Sequence, residues 1–375
     1  MTERLYYTDC YLRQFEAQTI SLTGDGLRVV LDRTAFYPTS GGQLFDMGEL
    51  GGARVVDVID EGETVAHVLA TRIGAGPVRG RVDWARRFEF MQQHTGQHLL
   101  SAVFHELFGI ATASVHLGEE GGTVELTVGG VSEGQAREAE IRANALIAEN
   151  RAVSITFEES PEGLRKASER TGPLRIVSID GLDKSACGGT HVSRTGEIGL
   201  LLIRKAEKIR GNTRLEFVCG VKAVRRARMD FELLSAAGRA FSRPLEEVPA
   251  AVLALQEAAR LDAKSVKSLT LELAGFKGRE LFGAALVGAD GLRRYWLRLD
   301  VVDEGARAVA QAFVGCGPGV FLATGGGAVL VASSDAGVHC GNLLKQFGRG
   351  GGSASLAQGS LLEAGALAAA LDFGR

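Results

Sequence analysis

The hydrophobic pattern of residues 1–86 is that of short β-strands. The segments LRVVLDRT, RVVDVID and TVAHVLA alternate apolar and polar residues or are rich in β-branched residues, and glycines separate them. Strands of this length, joined by glycine turns, predict a small N-terminal β-barrel over residues 1–86.

Residues 87–221 mix helical and strand-like patterns. Leu100, Val103, Phe104 and Leu107 recur at helical spacing, and a second helix begins after Ser132, a residue suited to a helix N-cap. Strand-like segments surround the two helices: TASVHLG, GTVELTV, ITFEE, RIVSIDG, GLLLIRKAE and TRLEFVCG. We therefore predict an α+β domain over residues 87–221.

Residues 222–275 are helical in character, and Pro244 and Pro249 divide them into two helices. An apolar seam recurs in steps of three and four residues: Val252, Leu255, Ala259, Asp262, Val266, Leu269 and Leu273. Six of these seven positions are apolar, as the buried side of a helix pair requires. The pattern predicts a helical hairpin linker over residues 222–275, with a seam between two chains as the alternative.

Residues 276–375 alternate strand-like segments with helical ones, which predicts a C-terminal α/β domain. Residues 308–334 carry no charge, but glycines and Pro318 interrupt them. Two buried strands, GVFLATG and AVLVASS, explain this stretch better than a membrane span does. The whole chain is thus predicted to be α+β, with four successive regions and no membrane association.

Composition narrows the class of protein further. A net charge of −3 and a hydrophobic content of 45% are ordinary for a globular protein, so nucleic-acid binding would need local basic patches. Five cysteines without a paired framework, and an N-terminus without a signal pattern, fit a reducing compartment. We therefore expect a cytoplasmic protein.

Two pairs of metal-capable residues carry the chemistry of this chain. His94 and His98 lie four positions apart on the predicted helix, so both imidazoles share one face. Cys187 and His191 have the same spacing in CGGTH, whose glycines allow a tight backbone. Three nitrogens and one sulfur suit tetrahedral zinc, so we predict a single Zn²⁺ site formed by all four side chains.

These motifs also carry a family resemblance. HTGQHLL followed by CGGTH resembles the editing domain of alanyl-tRNA synthetase and its free-standing relatives, the AlaX-type alanyl-tRNA editing proteins. Residues 34–50 resemble the glycine-rich stretch of the small barrel before that domain. Residues 348–360 resemble the glycine-rich motif of the C-terminal DHH-associated domain. The four segments occur in the family's order and cover most of the chain, although residues 223–275 match only in helical character.

The resemblance implies hydrolysis of mischarged tRNA(Ala) near the metal, with serine, and often glycine, as the amino acid removed. A site that hydrogen-bonds the seryl hydroxyl can reject alanine, which would leave its polar groups unpaired. Thr95 matches the family's threonine, and its hydroxyl would contact the substrate or, alternatively, a helix carbonyl. Gln43 matches the family's glutamine near the pocket, with a turn-stabilising amide as the alternative. Thr95 and Gln43 are therefore our predicted catalytic residues.

Two further segments are candidates for contact with RNA. A basic cluster follows CGGTH: Lys205, Lys208, Arg210 and Arg214. It could bind phosphates, or simply form a solvated strand face. The resemblance implies that the C-terminal domain binds tRNA, and Gly350, Gly351 and Gly352 precede a predicted helix whose free N–H groups could bind a phosphate. The alternative there is a tight packed turn.

Two questions stay open at the level of sequence. Four protein ligands close a zinc site, whereas metal-activated water needs an open position. Zinc could therefore act on water through a loosely held ligand, orient the substrate, or be architectural. The expected function is trans-editing without aminoacylation, since the chain begins at the barrel. The alternatives are a zinc-stabilised tRNA-binding module and a metallohydrolase of another ester; monomer and dimer are both compatible with the sequence.

Overall fold

The structure, a computed structural model, describes residues 1–159, 161–166, 172–361 and 364–373. The chain divides into two compact units, Met1–Ala236 and Ala237–Arg375, and each is described by itself. The first unit contains both the predicted barrel and the predicted α+β domain. The second contains most of the predicted helical linker and the C-terminal region.

The N-terminal strands close into a barrel with the order β2-β3-β7-β6-β5-β8, as predicted, while β1 pairs with β4. The strands are β1 Glu3–Arg4, β2 Gln14–Leu22, β3 Arg28–Leu31, β4 Arg33–Thr34, β5 Gly48–Leu50, β6 Ala53–Asp60, β7 Val65–Leu69 and β8 Pro77–Val82. Alternate residues of β8 face the core, and one of them must be glycine. A Cβ at Gly80 would lie 2.3 Å from Cε1 of Phe15, which fills this side of the barrel.

Helix α1, Trp84–Phe108, is buried over most of its length. The Asp83 carboxylate accepts a hydrogen bond from the Arg86 N–H at its start, and Gly109 ends it with φ 66°. Every residue from Phe90 to Phe104 is buried, including glutamines, histidines and a threonine. Buried polar groups need hydrogen-bond partners, so the polar side chains of this helix must bond to residues of other elements or to the helix itself.

The remaining elements of the first unit pack around α1. They are β9 Thr112–Leu117, β10 Gly122–Leu126, α2 Glu133–Ala148, β11 Val153–Glu158, β12 Leu174–Ile179, β13 Asp183–Ala186, β14 Leu201–Ile209 and β15 Asn212–Cys219. One sheet has the order β14-β15-β10-β9 and the other β11-β12-β13. The predicted N-cap is confirmed, because Ser132 Oγ accepts from the Gln135 N–H while Gln135 Oε1 accepts from the Ser132 N–H.

A buried ion pair joins the barrel to α1. Arg87 and Asp46 are both completely buried, and Arg87 Nε lies 3.0 Å from each Asp46 carboxylate oxygen. Arg87 also donates to the carbonyls of Cys10 and Ala35. The guanidinium therefore has partners for its charge and for most of its N–H groups, which a buried arginine requires.

Two helices follow: α3 Gly220–Phe241 and α4 Val248–Ala284. Pro244 interrupts the helical region as predicted, whereas Pro249 lies in the first turn of α4, where proline is tolerated. The apolar seam is largely exposed in the structure. Leu255, Val266 and Leu273 are 58%, 63% and 70% exposed.

The exposed seam has a physical cause within the second unit. The C-terminal part of α4 packs on α5, Glu304–Val314, and a Cβ at Gly278 would lie 2.5 Å from Ala312 Cβ. The seam lies before this contact, so none of the second unit's described elements covers it. The helical hairpin and the seam between two chains both stay predictions.

The second unit contains a six-stranded sheet with the order β16-β17-β18-β19-β21-β20. Its strands are β16 Leu286–Val287, β17 Arg293–Arg298, β18 Gly319–Gly325, β19 Ala328–Ser333, β20 Gly348–Gly352 and β21 Leu356–Leu361; helices α6 Cys340–Phe347 and α7 Ala364–Ala370 accompany them. The uncharged stretch forms β18 and β19, buried as predicted. Across the described residues, no helix is long and apolar enough to cross a membrane.

The prediction of a helix after Gly350–Gly352 was wrong. The glycines form β20, which pairs with β21 in an antiparallel hairpin, with Gly350 opposite Gly359. A Cβ at Gly350 would lie 2.5 Å from the Gln358 carbonyl oxygen, so glycine is needed for the close approach of the two strands. The glycines are followed by strand β21, so no helix N-terminus follows them to bind a phosphate in the predicted way.

Candidate metal centre

His94, His98, Cys187 and His191 come together in the first unit, as the sequence predicts. Their potential ligand atoms all lie within 4.8 Å of one another. Cys187 Sγ is 3.4 Å from His94 Nε2 and 3.3 Å from His191 Nε2. Helix α1 supplies two of the side chains, and the loop after β13 supplies the other two. The cluster can therefore bind a metal ion.

Each of the three histidines has a partner at Nδ1. His94 Nδ1 lies 2.8 Å from Gln43 Oε1, and His98 Nδ1 lies 3.1 Å from Asp183 Oδ2. His191 Nδ1 lies 3.2 Å from Thr95 Oγ1. An acceptor at Nδ1 holds the proton on that nitrogen, so each Nε2 keeps its lone pair for the centre of the cluster. The donor set of three imidazole nitrogens and one sulfur thus fits zinc in chemistry and tautomer.

Thr95 is completely buried and its hydroxyl is fully engaged. It donates to the Met91 carbonyl at 2.8 Å and accepts from the Val192 N–H at 3.1 Å. The His191 Nδ1–H then occupies its second lone pair. A hydroxyl has one donor and two acceptor positions, so none is left for a substrate. In this structure the Thr95 hydroxyl contacts His191, one of the four metal-capable residues, and the helix carbonyl of Met91, its alternative partner.

Gln43 reaches the centre from the SGGQ turn of residues 40–43. Its Oε1 accepts from His94 Nδ1 and from the Thr190 N–H, and its Nε2 donates to Thr190 Oγ1 at 2.9 Å. This amide therefore orients a histidine and fixes the CGGTH loop at the same time. Its second N–H is a donor position beyond these contacts.

Only one of the two motif glycines is needed for close packing at the centre. Neither Gly188 nor Gly189 has a positive φ, so no left-handed backbone conformation requires them. A Cβ at Gly189 would lie 2.1 Å from His94 Cε1 and 3.1 Å from Gln43 Oε1. Gly189 therefore lets the loop contact the helix ligand directly, and a larger residue would displace His94.

Electrostatics favour a thiolate at Cys187. Burial opposes ionisation, but the surrounding His94 and His191 outweigh it and hold the pKa of Cys187 well below its ordinary value. Burial and the neighbouring His94 lower the pKa of His191 to about 3. Burial also opposes protonation of His98, yet Asp183 and Cys187 raise its pKa to about 9. A cation binding here would displace that proton.

Access to the cluster is uneven. His94, His98 and His191 are 3%, 5% and 2% exposed, whereas Cys187 is half-buried. A Cβ at Gly188, the next residue, would lie 3.6 Å from the Tyr7 hydroxyl oxygen. Among the described residues, Cys187 and Gly188 therefore form the least buried side of the centre, and Tyr7 lies close to it.

Asp183 was missed at the level of sequence. It lies four residues before Cys187 on β13, and nothing in the spacing connects it with His98, which is far away in the chain. The available signal was weak: an acidic residue in a short strand whose alternate positions, Asp183 and Ser185, are buried.

The predicted basic cluster lies on the β14–β15 hairpin among acidic residues. Lys205 pairs with Glu207, which lies directly opposite Arg214 on the next strand. Glu125 of β10 flanks Arg214 on its other side. Alternating charges of this kind are typical of a solvated sheet face, so RNA contact by Lys205, Lys208, Arg210 and Arg214 stays a prediction.

The sequence is similar to a known protein family over the segment that contains two of the four metal-capable residues. Residues 174–216, which include Cys187 and His191, match the family model described as the threonyl and alanyl tRNA synthetase second additional domain. The chain is 36% identical over 245 residues to the alanyl-tRNA editing protein AlaX-M of Methanosarcina mazei, covering 58% of this chain and 96% of that protein.

Two longer relatives are also similar. The chain is 34% identical over 242 residues to the alanyl-tRNA editing protein AlaX-L of Pyrococcus horikoshii, covering 60% of this chain and 59% of that protein. It is 30% identical over 404 aligned positions to the alanine–tRNA ligase of Methanoregula boonei, and spans 43% of that protein's length. The match to AlaX-M extends over almost all of that relative, so the chain belongs to the AlaX-type alanyl-tRNA editing family.

Proposed function

We propose that this protein hydrolyses mischarged tRNA(Ala) in trans, removing serine and also glycine at a zinc-containing site. The observation that carries the proposal is the convergence of His94, His98, Cys187 and His191, each histidine oriented through Nδ1, in a member of the alanyl-tRNA editing family. Three relatives are named alanyl-tRNA editing proteins: AlaX-M, AlaX-L and the Danio rerio protein Aarsd1.

Zinc would be held by the three Nε2 atoms and the Cys187 thiolate. The chemistry supplied at such a centre is Lewis-acid polarisation of an ester oxygen and a fixed point for orienting the substrate. Gln43 and Thr95 act through the ligands: each accepts an Nδ1–H and so fixes the orientation of His94 and His191. We therefore assign both as positioning residues, which revises the direct substrate contact expected of them.

The aminoacyl end of the tRNA would approach from the side of Cys187. Among the described residues, the three histidines are almost completely buried, so we place the path of the ester past the half-buried sulfur and Gly188. Serine is preferred over alanine if polar groups at this opening hydrogen-bond its hydroxyl, because alanine would leave them unpaired.

The test is deacylation of purified Ser-tRNA(Ala), Gly-tRNA(Ala) and Ala-tRNA(Ala), with zinc content measured on the same samples. We expect loss of serine and glycine, sparing of alanine, and no activity in His94→Ala/His98→Ala. His105→Ala is the matched control, because His105 is an exposed histidine of the same helix. It should retain both zinc and activity.

A zinc-stabilised tRNA-binding module is the second candidate, since four protein ligands form a closed site. Under it, the zinc-loaded protein would retard tRNA in a gel and leave every ester intact. Hydrolysis of simple seryl esters at the same rate as Ser-tRNA(Ala) would instead favour a general metallohydrolase.

A further inference from the structure

We infer that Asp183 is a positioning residue of the metal centre: its carboxylate holds the His98 imidazole in the orientation and tautomer that direct Nε2 at the metal. The inference rests on the metal site of the proposed function but not on the reaction carried out there. The inference gives strand β13 a role in metal binding that neither the HTGQH motif nor the CGGTH motif predicts.

The Asp183 carboxylate accepts hydrogen bonds from three side chains, which hold it in a fixed orientation. Its Oδ2 lies 3.1 Å from His98 Nδ1 and accepts from Ser185 Oγ at 2.9 Å. Its Oδ1 accepts from Arg165 Nε at 2.6 Å. The side chain is 0% exposed, and β13 is fixed by pairing Asp183 with Ile179 of β12. The carboxylate therefore cannot turn away from His98 without breaking contacts on three sides.

Asp183 differs from the other two residues that contact a ligand through Nδ1. Gln43 and Thr95 present neutral oxygens to His94 and His191, whereas Asp183 presents a charged one. Hydrogen bonds to an ionised acceptor are roughly twice as strong as neutral ones. A carboxylate also raises the basicity of the ligating imidazole, and removal of such a partner typically lowers metal affinity about 10–100-fold.

Two of the three donors that face Asp183, His98 and Arg165, contact opposite carboxylate oxygens, which makes an amide a sharp probe. His98 Nδ1–H and Arg165 Nε–H each need an acceptor, and a carboxylate offers one to both. In Asp183→Asn, one of the two oxygens becomes an NH₂ group, which must face a donor. The amide can then serve His98 or Arg165, but not both.

Replacing Arg165 by methionine removes one of the two competing donors. Two Asp183 variants can then be compared in the same Arg165→Met background. In Arg165→Met/Asp183→Asn, the single amide oxygen is free to accept from His98. In Arg165→Met/Asp183→Ala, His98 has no acceptor, yet no half-buried arginine is left unpaired. The two double variants therefore differ mainly in whether an acceptor faces His98 Nδ1.

The experiment measures zinc affinity by competition with a chromophoric chelator, and the visible absorption of the Co²⁺-loaded protein. Relative to Arg165→Met, we expect Asp183→Ala in that background to lose about 10–100-fold in affinity and to change the Co²⁺ spectrum. Asp183→Asn in the same background should lose less affinity than Asp183→Ala, because the amide keeps an acceptor for His98 but not the charge, and in the wild-type background it should lose more. Asp180→Asn, which changes an exposed carboxylate three residues away, is the control.

Equal zinc affinity and unchanged Co²⁺ spectra for the two double variants would overturn the inference. Thermal unfolding of the metal-free proteins checks that both fold. A wild type that binds zinc without hydrolysing any ester would refute the proposed reaction and leave the role of Asp183 supported. A wild type that binds no zinc would overturn both.

Discussion

Helices α1 and α4 have opposite relations between side-chain polarity and burial. In α1, glutamines, a threonine and two histidines are buried, and most of their polar atoms have partners from the barrel, from the CGGTH loop or from β15. In α4, valines and leucines at regular helical spacing are exposed. The comparison teaches that periodicity predicts a helix in both cases, while the surroundings decide which of its faces is buried.

The largest expected effect concerns the buried ion pair at the start of α1. Arg87→Met should destabilise the first unit by about 3–5 kcal/mol, because it leaves the Asp46 carboxylate buried without its partner. Urea unfolding followed by Trp84 fluorescence, in a Trp296→Phe background, measures this. Arg260→Met on α4, followed by Trp296 fluorescence, is the control, since Arg260 and Glu257 form an exposed pair whose loss should hardly change the stability of the second unit. A small effect of Arg87→Met would show that water reaches the pair.

Truncation of an apolar side chain should also change stability very differently in the two helices. Leu99→Ala on α1 should cost about 2–5 kcal/mol, because Leu99 is 0% exposed and a cavity would remain. Leu269→Ala on α4 should change the stability of the second unit by less than about 0.5 kcal/mol, because Leu269 is 63% exposed. Trp296 fluorescence reports on the second unit. A loss of several kcal/mol at Leu269, dependent on protein concentration, would instead indicate that the seam is covered by a second chain.

The pH dependence of stability tests whether a buried polar side chain of the barrel, that of His67, is held in its neutral form. His67 is completely buried between Thr34 Oγ1 and the Val29 carbonyl, and burial lowers its pKa to about 4. The unfolded chain therefore binds a proton more readily, and stability is lost as pH falls from about 6.5 towards 4. This histidine should contribute about 3 kcal/mol to that loss. His67→Gln should show a correspondingly shallower pH dependence of unfolding; an identical profile would contradict the assignment.

The smallest effects come from two helical glycines and have opposite signs. A Cβ at Gly96 of α1 would lie 2.3 Å from Cys219 Sγ, so Gly96→Ala should destabilise by about 1–3 kcal/mol despite its better helix propensity. At Gly275 of α4 the nearest atom is the flexible Arg279 Nη1, at 3.5 Å. Gly275→Ala should therefore stabilise by about 0.5–1 kcal/mol. Equal signs in the two unfolding assays would contradict the difference in packing.

Much of the fold could be predicted because its signals are local. The Ser132 cap, the strands of the barrel and the uncharged strands β18 and β19 follow from side chains near in sequence. The glycine segment of residues 350–352 was mispredicted because a glycine loop before a helix and a glycine strand in a hairpin look alike in one dimension. Only the register with β21 distinguishes them.

Spacing along the chain identifies the four metal-capable side chains, because the spacing of each pair is a local property of a helix or a loop. The residues around them are brought there by packing between distant elements. Gln43, Thr95 and Asp183 reach the histidines from the barrel, from α1 and from β13, across 51, 96 and 85 positions of sequence. Hydrogen bonds over such separations depend on how elements pack, and packing leaves no periodic trace in the chain. The same reason explains why the polar residues of α1 are buried and the apolar seam of α4 is exposed.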